Sequence, residues 1–181
     1  MTRLFQAMIA AFLLSLAGPA TAALPVGAQA PDFWTQGSVG GRPFRLHLAE
    51  QLRRGPLVLY FYPRAFTDGC TLEARAFSQA TDDFRRLGVN VVGVSADDSE
   101  TLRRFSVEGC RSAFPVAAAS DAMIDSYRVR LRAGSPMSNR TSFLIAPNGR
   151  ILAVHSAGAW QGHVPAMLAA ARDWRGRQRR R

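Results

Sequence analysis

The chain has 181 residues and a formal net charge of +10, and all 23 of its cationic residues are arginine. Because lysine is absent, the composition excludes Schiff-base chemistry and a phosphate-loop lysine. The arginines are scattered except at the very end of the chain, so the charge does not indicate a nucleic-acid partner. The two cysteines are widely separated and lack the spacing of metal ligands.

The N-terminal residues have the pattern of a secretory signal peptide. One positive charge, Arg3, precedes an apolar run that is short for a bilayer span, and Ala20-Thr-Ala22 supplies small residues for cleavage. We expect cleavage near Ala22 and export to the periplasm of a Gram-negative cell, with an uncleaved membrane anchor as the alternative. No later segment predicts membrane insertion. Residues 23–174 then form one domain, and residues 175–181 are predicted to be a basic, disordered tail.

Alternating patterns of strand and helix follow in chain order, each recognised from its apolar periodicity and its turn residues. The first half contains a hairpin with its turn at 37–41, a short helix at 48–52, a strand at 57–62, a helix at 70–87 and a strand at 89–94. Because the last three form a strand-helix-strand unit with short links, we expect the two strands to pair in parallel through a crossover.

The second half predicts a helix at 100–108, a short strand at 114–117, a brief helix at 120–128, an antiparallel hairpin of 141–146 and 151–155, and a final helix at 162–174. This order indicates an α/β protein. We predict a thioredoxin-like three-layer fold with an N-terminal β-hairpin extension.

Cys70 lies in the first turn of the predicted helix, directly beyond a buried strand. There the unpaired backbone N–H groups and the positive end of the helix dipole favour the thiolate over the thiol. We therefore interpret Cys70 as a nucleophile. If it attacks a peroxide, Thr67 can offer a hydroxyl that both donates and accepts, and Pro63 can wall the pocket. A guanidinium beside the sulfur would help, but spacing alone does not select one arginine.

The motif Pro63-x-x-x-Thr67-x-x-Cys70 resembles the signature of the peroxiredoxins, which are thiol peroxidases on a thioredoxin-like fold. The segments around it and around Arg140 are most similar to the bacterioferritin-comigratory or Q-type branch, and the matching segments cover nearly all of residues 23–174 in order. The resemblance implies that Cys70 is the peroxidatic cysteine, Thr67 the peroxide-binding hydroxyl, Pro63 the pocket wall and Arg140 the activating guanidinium.

The resemblance also implies an activity and its partners. The expected reaction is reduction of hydrogen peroxide and organic hydroperoxides through a Cys70 sulfenic acid, which a second thiol then resolves. We expect no cofactor and no metal, a reductant of thioredoxin-like type, and a monomer or weak dimer.

The resolving thiol is where the chain departs from the branch pattern. Arg75 occupies the position, five residues after Cys70, where many Q-type relatives carry a resolving cysteine, and a second family position falls near Ser106. Cys110 lies one helical turn further along. Three interpretations remain open: Cys110 resolves Cys70 after local unwinding, an outside thiol does so, or Cys70 and Cys110 form a permanent structural disulfide.

Other residues have simpler interpretations. Glu73 suits the N-terminus of a helix, with pairing to Arg140 as the alternative, and His47, His155 and His163 are interpreted as structural or surface residues. Two other functions were weighed. A thiol-disulfide oxidoreductase would need Cys-x-x-Cys, which Glu73 interrupts, and a non-enzymatic binding domain would use a structural disulfide and the basic tail.

Overall fold

The structure is a computed structural model that describes residues 22–180. Seven strands are found in these residues: β1 (Trp34–Val39), β2 (Arg42–His47), β3 (Leu57–Phe61), β4 (Asn90–Ser95), β5 (Val116–Ala118), β6 (Thr141–Ile145) and β7 (Ile151–Ser156). The α-helices are α1 (Leu48–Leu52), α2 (Asp68–Arg86), α3 (Ser99–Glu108), α4 (Asp121–Ser126) and α5 (His163–Arg179). The predicted signal peptide falls almost wholly outside the described part of the chain, in which no helix has the length and apolarity to cross a membrane.

One mixed sheet joins all seven strands in the order β2-β1-β5-β4-β3-β6-β7. Strand β4 pairs in parallel with β3 and with β5, whereas the two hairpins and the β3–β6 pair are antiparallel. The predicted parallel pairing of the strands around 57–62 and 89–94 is therefore confirmed. The interior strand β3 is buried along its whole length, as expected for a strand covered on both faces.

Two apolar cores lie on opposite faces of the sheet. One contains residues of α2, α3 and α5, packed against Val58 and Tyr60 of β3. The other contains residues of α1 and α4, packed against the alternate side chains Leu59 and Phe61. Because neighbouring residues of a strand point to opposite faces, β3 contributes to both cores, and the predicted three-layer α/β arrangement is confirmed.

The N-terminal hairpin turns more tightly than its glycines predicted. Its turn is Gly40-Gly41, with φ angles of 54° and 76°, a conformation that glycine adopts without steric cost. Gly37 lies within β1 instead, where a Cβ atom would stand 3.0 Å from the Phe44 ring and from the Val116 carbonyl oxygen. This glycine therefore serves close packing between strands and not the turn.

The prediction of a disordered tail from residue 175 was wrong for residues 175–179, which continue α5 to Arg179. Arginine and glutamine are good helix formers. In addition, Arg177 and Arg179 lie in the last turn, where positive charge is favourable to the helix dipole. A run of like charges at a chain end had suggested a frayed segment, but here the same residues extend a helix that is already anchored in the core.

Candidate active site

Cys70 is the third residue of α2, which begins two residues earlier than predicted, with Thr67 at its N-cap. The chain leaves β3 at Phe61, crosses a short loop and enters this helix, so the cysteine lies at the carboxyl edge of the sheet. Its side chain is only 2% exposed. The Thr67 side chain does not cap the helix, so the first-turn N–H groups keep their positive field directed at the region of the sulfur.

Arg140 completes the site from a distant part of the sequence, as the resemblance implied. It directly precedes β6, whose first residue, Thr141, pairs with Phe61 at the end of β3. The antiparallel pairing therefore brings the arginine to the start of α2. Its Nη2 atom lies 3.4 Å from Cys70 Sγ, and Gly69 leaves room for this approach, since a Cβ there would stand 3.3 Å from Nη2.

The Arg140 guanidinium is held on three sides. Its Nε atom donates to the Gly158 carbonyl oxygen at 3.1 Å, and its Nη1 atom donates to Glu73 Oε2. Its third contact is the one to Cys70 Sγ. A planar donor fixed in this way presents a defined positive group to a thiolate and to oxygen atoms bound beside it.

Thr67 and Pro63 precede Cys70 in the chain after β3, and the structure gives each of them other contacts. The exposed Thr67 hydroxyl donates to the Arg64 carbonyl oxygen at 3.0 Å, which leaves its oxygen lone pairs free to accept. Pro63 lines a surface cleft of about 440 Å³ with Asp97 and Met137, and Cys70 is not among the cleft walls. The roles of Thr67 in peroxide binding and of Pro63 as the wall of the cysteine pocket remain predictions.

The loop that carries Pro63 is anchored by an acidic residue, Asp97, that no sequence pattern singled out. Asp98, the next residue, caps α3 and accepts from the Thr101 N–H at 2.8 Å. Asp97 Oδ2 instead accepts from the Ala65 N–H at 2.7 Å and from the Ser95 hydroxyl at 2.8 Å. Its position just after β4, the parallel neighbour of β3, was the signal that could have identified it.

Behind the arginine lies a buried cluster of ionisable groups. Glu73 is completely buried and pairs with Arg140, so the alternative interpretation of Glu73 was the right one. Burial raises the pKa of Glu73 to about 7, although Arg140 opposes the shift. His163 is also completely buried, and burial lowers its pKa to about 4, so its ring is neutral near pH 7. Its Nδ1 atom lies 3.6 Å from Glu73 Oε1.

The raised pKa of Glu73 predicts a pH-dependent stability. Between pH 4.5 and about pH 7, the Glu73 carboxyl is protonated in the folded chain and ionised in the unfolded chain. This contribution to stability is therefore complete below pH 4.5 and is lost as the pH rises through 7. Glu73→Gln removes the loss. From pH 5 to pH 8, the free energy of unfolding of the variant should rise by on the order of 2 kcal/mol relative to that of wild type. Urea denaturation at both pH values measures this change.

The matched control is Glu100→Gln, because Glu100 is exposed and pairs only with a neighbour on its own helix, Arg103. For this variant, the difference in free energy of unfolding from wild type should be the same at pH 5 and pH 8 to within about 0.5 kcal/mol. If the free energy of unfolding of Glu73→Gln changes between the two pH values as that of wild type does, then Glu73 does not carry a raised pKa in the folded protein.

Cys110 is fully buried two residues beyond the end of α3, and both cysteines are free thiols in the structure. Cys110 and Cys70 belong to the same apolar core. Burial raises the pKa of the Cys110 thiol far above its usual range, so the folded protein presents it protonated. Arg111 and Ser112, which follow it, both adopt positive φ angles, 51° and 58°. These values strain residues that carry a Cβ atom.

The positions at which relatives carry the resolving cysteine are occupied differently. Arg75 is exposed on α2. Ser106 is buried within α3, and its hydroxyl oxygen accepts from the Gly41 N–H at 2.9 Å. Within residues 22–180, no group of three or more His, Cys, Asp or Glu side chains could hold a metal ion. Fold and site together define a thioredoxin-like protein in which a single helix-start cysteine, backed by an arginine, replaces the Cys-x-x-Cys pair.

Comparisons with known proteins place the chain in a family. Residues 26–154 match the AhpC/TSA family, and the chain belongs to this family. A putative peroxiredoxin, Bcp, of Helicobacter pylori is 43% identical over 82 residues, which are 45% of this chain and 51% of that protein. The chloroplastic peroxiredoxin Q of Arabidopsis thaliana is 31% identical over 148 residues, which are 78% of this chain and 64% of that protein.

A solved structure shows the same fold. Peroxidoxin BcpB from Mycobacterium tuberculosis has a TM-score of 0.72 and 31% identity, and the match covers 83% of this chain and 97% of that chain. These similarities confirm the thioredoxin-like fold and the Bcp or Q-type branch. The chain spans 51% and 64% of the two curated relatives named above.

Proposed function

We propose that the protein is a thiol-dependent peroxidase that reduces hydrogen peroxide and organic hydroperoxides. The observation that carries the proposal is the Arg140 guanidinium at 3.4 Å from the sulfur of a buried cysteine at a helix N-terminus. Both the guanidinium and the helix dipole stabilise negative charge on Cys70 Sγ. Membership of the AhpC/TSA family supports the same reaction.

The reaction begins with attack of the Cys70 thiolate on one peroxide oxygen. A sulfur–oxygen bond forms, the O–O bond breaks, and the departing oxygen takes up a proton to leave as water or an alcohol, so that Cys70 becomes a sulfenic acid. Arg140 donates to the oxygens as charge develops on them. Thr67, whose own proton is engaged by Arg64, would accept from the peroxide O–H and orient it.

Cys110 is the proposed resolving thiol. Its attack on the Cys70 sulfenic acid forms a disulfide and releases water, and an external dithiol then reduces the disulfide. Because both sulfurs are buried, this step requires local unfolding of the first turn of α2 and of the turn after α3. The two strained residues that follow Cys110, Arg111 and Ser112, lower the cost of opening that turn.

We also propose that the protein works in the periplasm, because residues 1–22 have the composition of a cleaved leader. The external reductant would then be a thioredoxin-like thiol of that compartment, and the protein would act as a monomer or weak dimer. Bcp and Q-type relatives carry the name peroxiredoxin, which supports a peroxide as the substrate that this thiol-dependent reaction reduces.

Stopped-flow mixing of the fully reduced protein with equimolar peroxide tests the reaction. Wild type should consume about one equivalent and lose both free thiols while remaining a monomer, because Cys70 and Cys110 end as a disulfide. Cys110→Ser should consume the same equivalent but retain a sulfenic acid that dimedone traps. The control is Ala113→Ser, a small change in the same turn that keeps both thiols.

Each alternative has its own signature in this experiment. Equal trapping of sulfenic acid in wild type and Cys110→Ser would assign resolution to an outside thiol and remove Cys110 from the mechanism. Failure of the reduced wild-type protein to consume peroxide would overturn the proposed function itself.

A further inference from the structure

We propose that His163 is a positioning residue that holds Arg140 against Cys70, a role that rests on the proposed peroxidase function. His163 does not itself contact the sulfur. Instead, one ring nitrogen faces Glu73, which binds the Arg140 guanidinium. The other faces the Ala157 carbonyl, which adjoins the Gly158 carbonyl that binds the guanidinium from another side. No local sequence pattern connects this histidine, at the start of α5, with a cysteine at the start of α2.

The first route runs through the backbone that follows β7. His163 Nε2 lies 3.1 Å from the Ala157 carbonyl oxygen. The next residue, Gly158, accepts the hydrogen bond from Arg140 Nε, and the Ala157 N–H donates to the Arg140 carbonyl oxygen at 3.2 Å. The Cβ side of Gly158 is open, since a Cβ there would meet no atom within 4 Å. Hydrogen bonds of residues 157 and 158 therefore help to keep this carbonyl directed at the arginine.

The second route runs through Glu73. One carboxylate oxygen, Oε2, pairs with Arg140 Nη1, whereas the other, Oε1, is buried without a hydrogen-bond partner. His163 Nδ1 lies 3.6 Å from Oε1. The imidazole ring thus stands against the free side of the carboxylate and prevents it from turning away from the guanidinium.

The tautomer of His163 follows from its partners. A carbonyl oxygen only accepts, so the single ring proton of the neutral form is on Nε2, directed at Ala157. Nδ1 then accepts from the Ser142 hydroxyl, whose oxygen is 2.8 Å away. The lowered pKa of His163 is consistent with this arrangement, because a protonated Nδ1 would lose its acceptor role toward Ser142.

The remaining ionisable neighbours do not replace these contacts. His155 of β7 packs its ring edge-on against His163, with centroids 4.6 Å apart, and its Nε2 atom has no hydrogen-bond partner. Tyr60 of β3 is buried in the core that contains residues of α2 and α5, also with an unpartnered hydroxyl. Within the described residues, His163 is thus a second side chain, besides Arg140 itself, that faces both Glu73 and the backbone of residues 157–158.

Two substitutions each break one of the two routes and keep the other. The amide of His163→Asn reaches the position of Nδ1 and keeps the group beside Glu73 and Ser142, whereas the amide of His163→Gln reaches the position of Nε2 and can still donate to Ala157. His47→Asn is the control, because His47 lies on β2 and stacks on Trp34, away from the site. Thermal unfolding of every variant shows which proteins remain folded.

The decisive measurement is whether the effect of each His163 substitution on the rate depends on the presence of Arg140. Each His163 variant should lower the rate constant for peroxide reduction by about 10-fold in the wild-type background, since small misplacement of a positioning group costs this much or more. In an Arg140→Gln background the same substitutions should change the rate by less than about twofold, because the group they position is gone. An equal loss in both backgrounds would overturn the proposal and leave His163 a structural residue.

A second readout is independent of peroxidase activity. Alkylation of Cys70 by iodoacetamide at pH 7, followed in a Cys110→Ser background, reports the thiolate. The His163 variants should slow it by about fivefold, the effect of weakening one hydrogen bond from a charged donor. If wild type fails to consume peroxide but the variants still slow alkylation, the proposed function fails and the positioning role stands. Unchanged alkylation in folded variants would refute the positioning role.

Discussion

Cys70→Ser is expected to abolish peroxide consumption, with a loss of roughly 10⁴-fold or more in the rate constant. A serine hydroxyl stays protonated at neutral pH, and neither the α2 N-terminus nor Arg140 supplies enough stabilisation to ionise it. The substitution changes one buried atom and leaves the helix intact. Stopped-flow peroxide consumption by the reduced variant, compared with wild type under the same conditions, measures the effect.

Cys110→Ser is the matched control for this experiment, because it makes the same chemical change at the other buried cysteine. It should retain the first turnover at close to the wild-type rate, since Cys110 acts only after the sulfenic acid has formed. The interpretation of Cys70 as the nucleophile fails if Cys70→Ser retains rapid consumption, or if the two variants lose the first turnover equally.

The sequence predicted Cys70 for local reasons and Arg140 only through family resemblance. A cysteine at the start of a helix that follows an apolar strand is visible in a short window, because both patterns are contiguous. The contact with Arg140 depends on the antiparallel pairing of β3 with β6, which joins Phe61 to Thr141. No periodicity within either strand specifies that pairing, so 23 arginines were equivalent until the family motif selected one.

The pairing of Glu73 was only the alternative interpretation, and the contacts of His163 were not foreseen, because the importance of both residues comes from burial. Both are polar residues near element ends, where capping or surface positions are the ordinary expectation. The structure places Glu73 and His163 in the interior, where each needs a partner. Burial of a charged residue is decided by how α5 packs on α2, and this information is distributed over both helices and not contained in either one.

Glu73 also explains how this site differs from that of a thiol-disulfide oxidoreductase. In a Cys-x-x-Cys protein the position three residues after the first cysteine carries the second thiol. Here the same helical position, one turn below Cys70 on the same face, carries a carboxylate that binds Arg140. The geometry that would otherwise form a disulfide instead fixes a guanidinium beside the first sulfur, which is suited to attack on an oxygen substrate.

Arg140→Gln is expected to lower the rate constant for peroxide reduction by about 10²- to 10³-fold, the loss typical for removal of one preorganised donor to a developing negative charge. Arg140→Lys should be intermediate, because an ammonium group keeps the charge but cannot reach Gly158, Glu73 and Cys70 in one plane. The control is Arg75→Gln, which removes an exposed arginine of α2 and should change the rate by less than about twofold.

A double variant separates catalysis from stability at this arginine. Arg140→Gln leaves Glu73 buried without its positive partner, so the carboxyl should take up a proton and the protein should lose stability as pH rises toward 8. Adding Glu73→Gln should restore that stability, measured by urea denaturation, but not the rate. Recovery of both would show that Arg140 contributes through stability alone. Recovery of neither would show that the Glu73–Arg140 pair is not the source of the pH dependence.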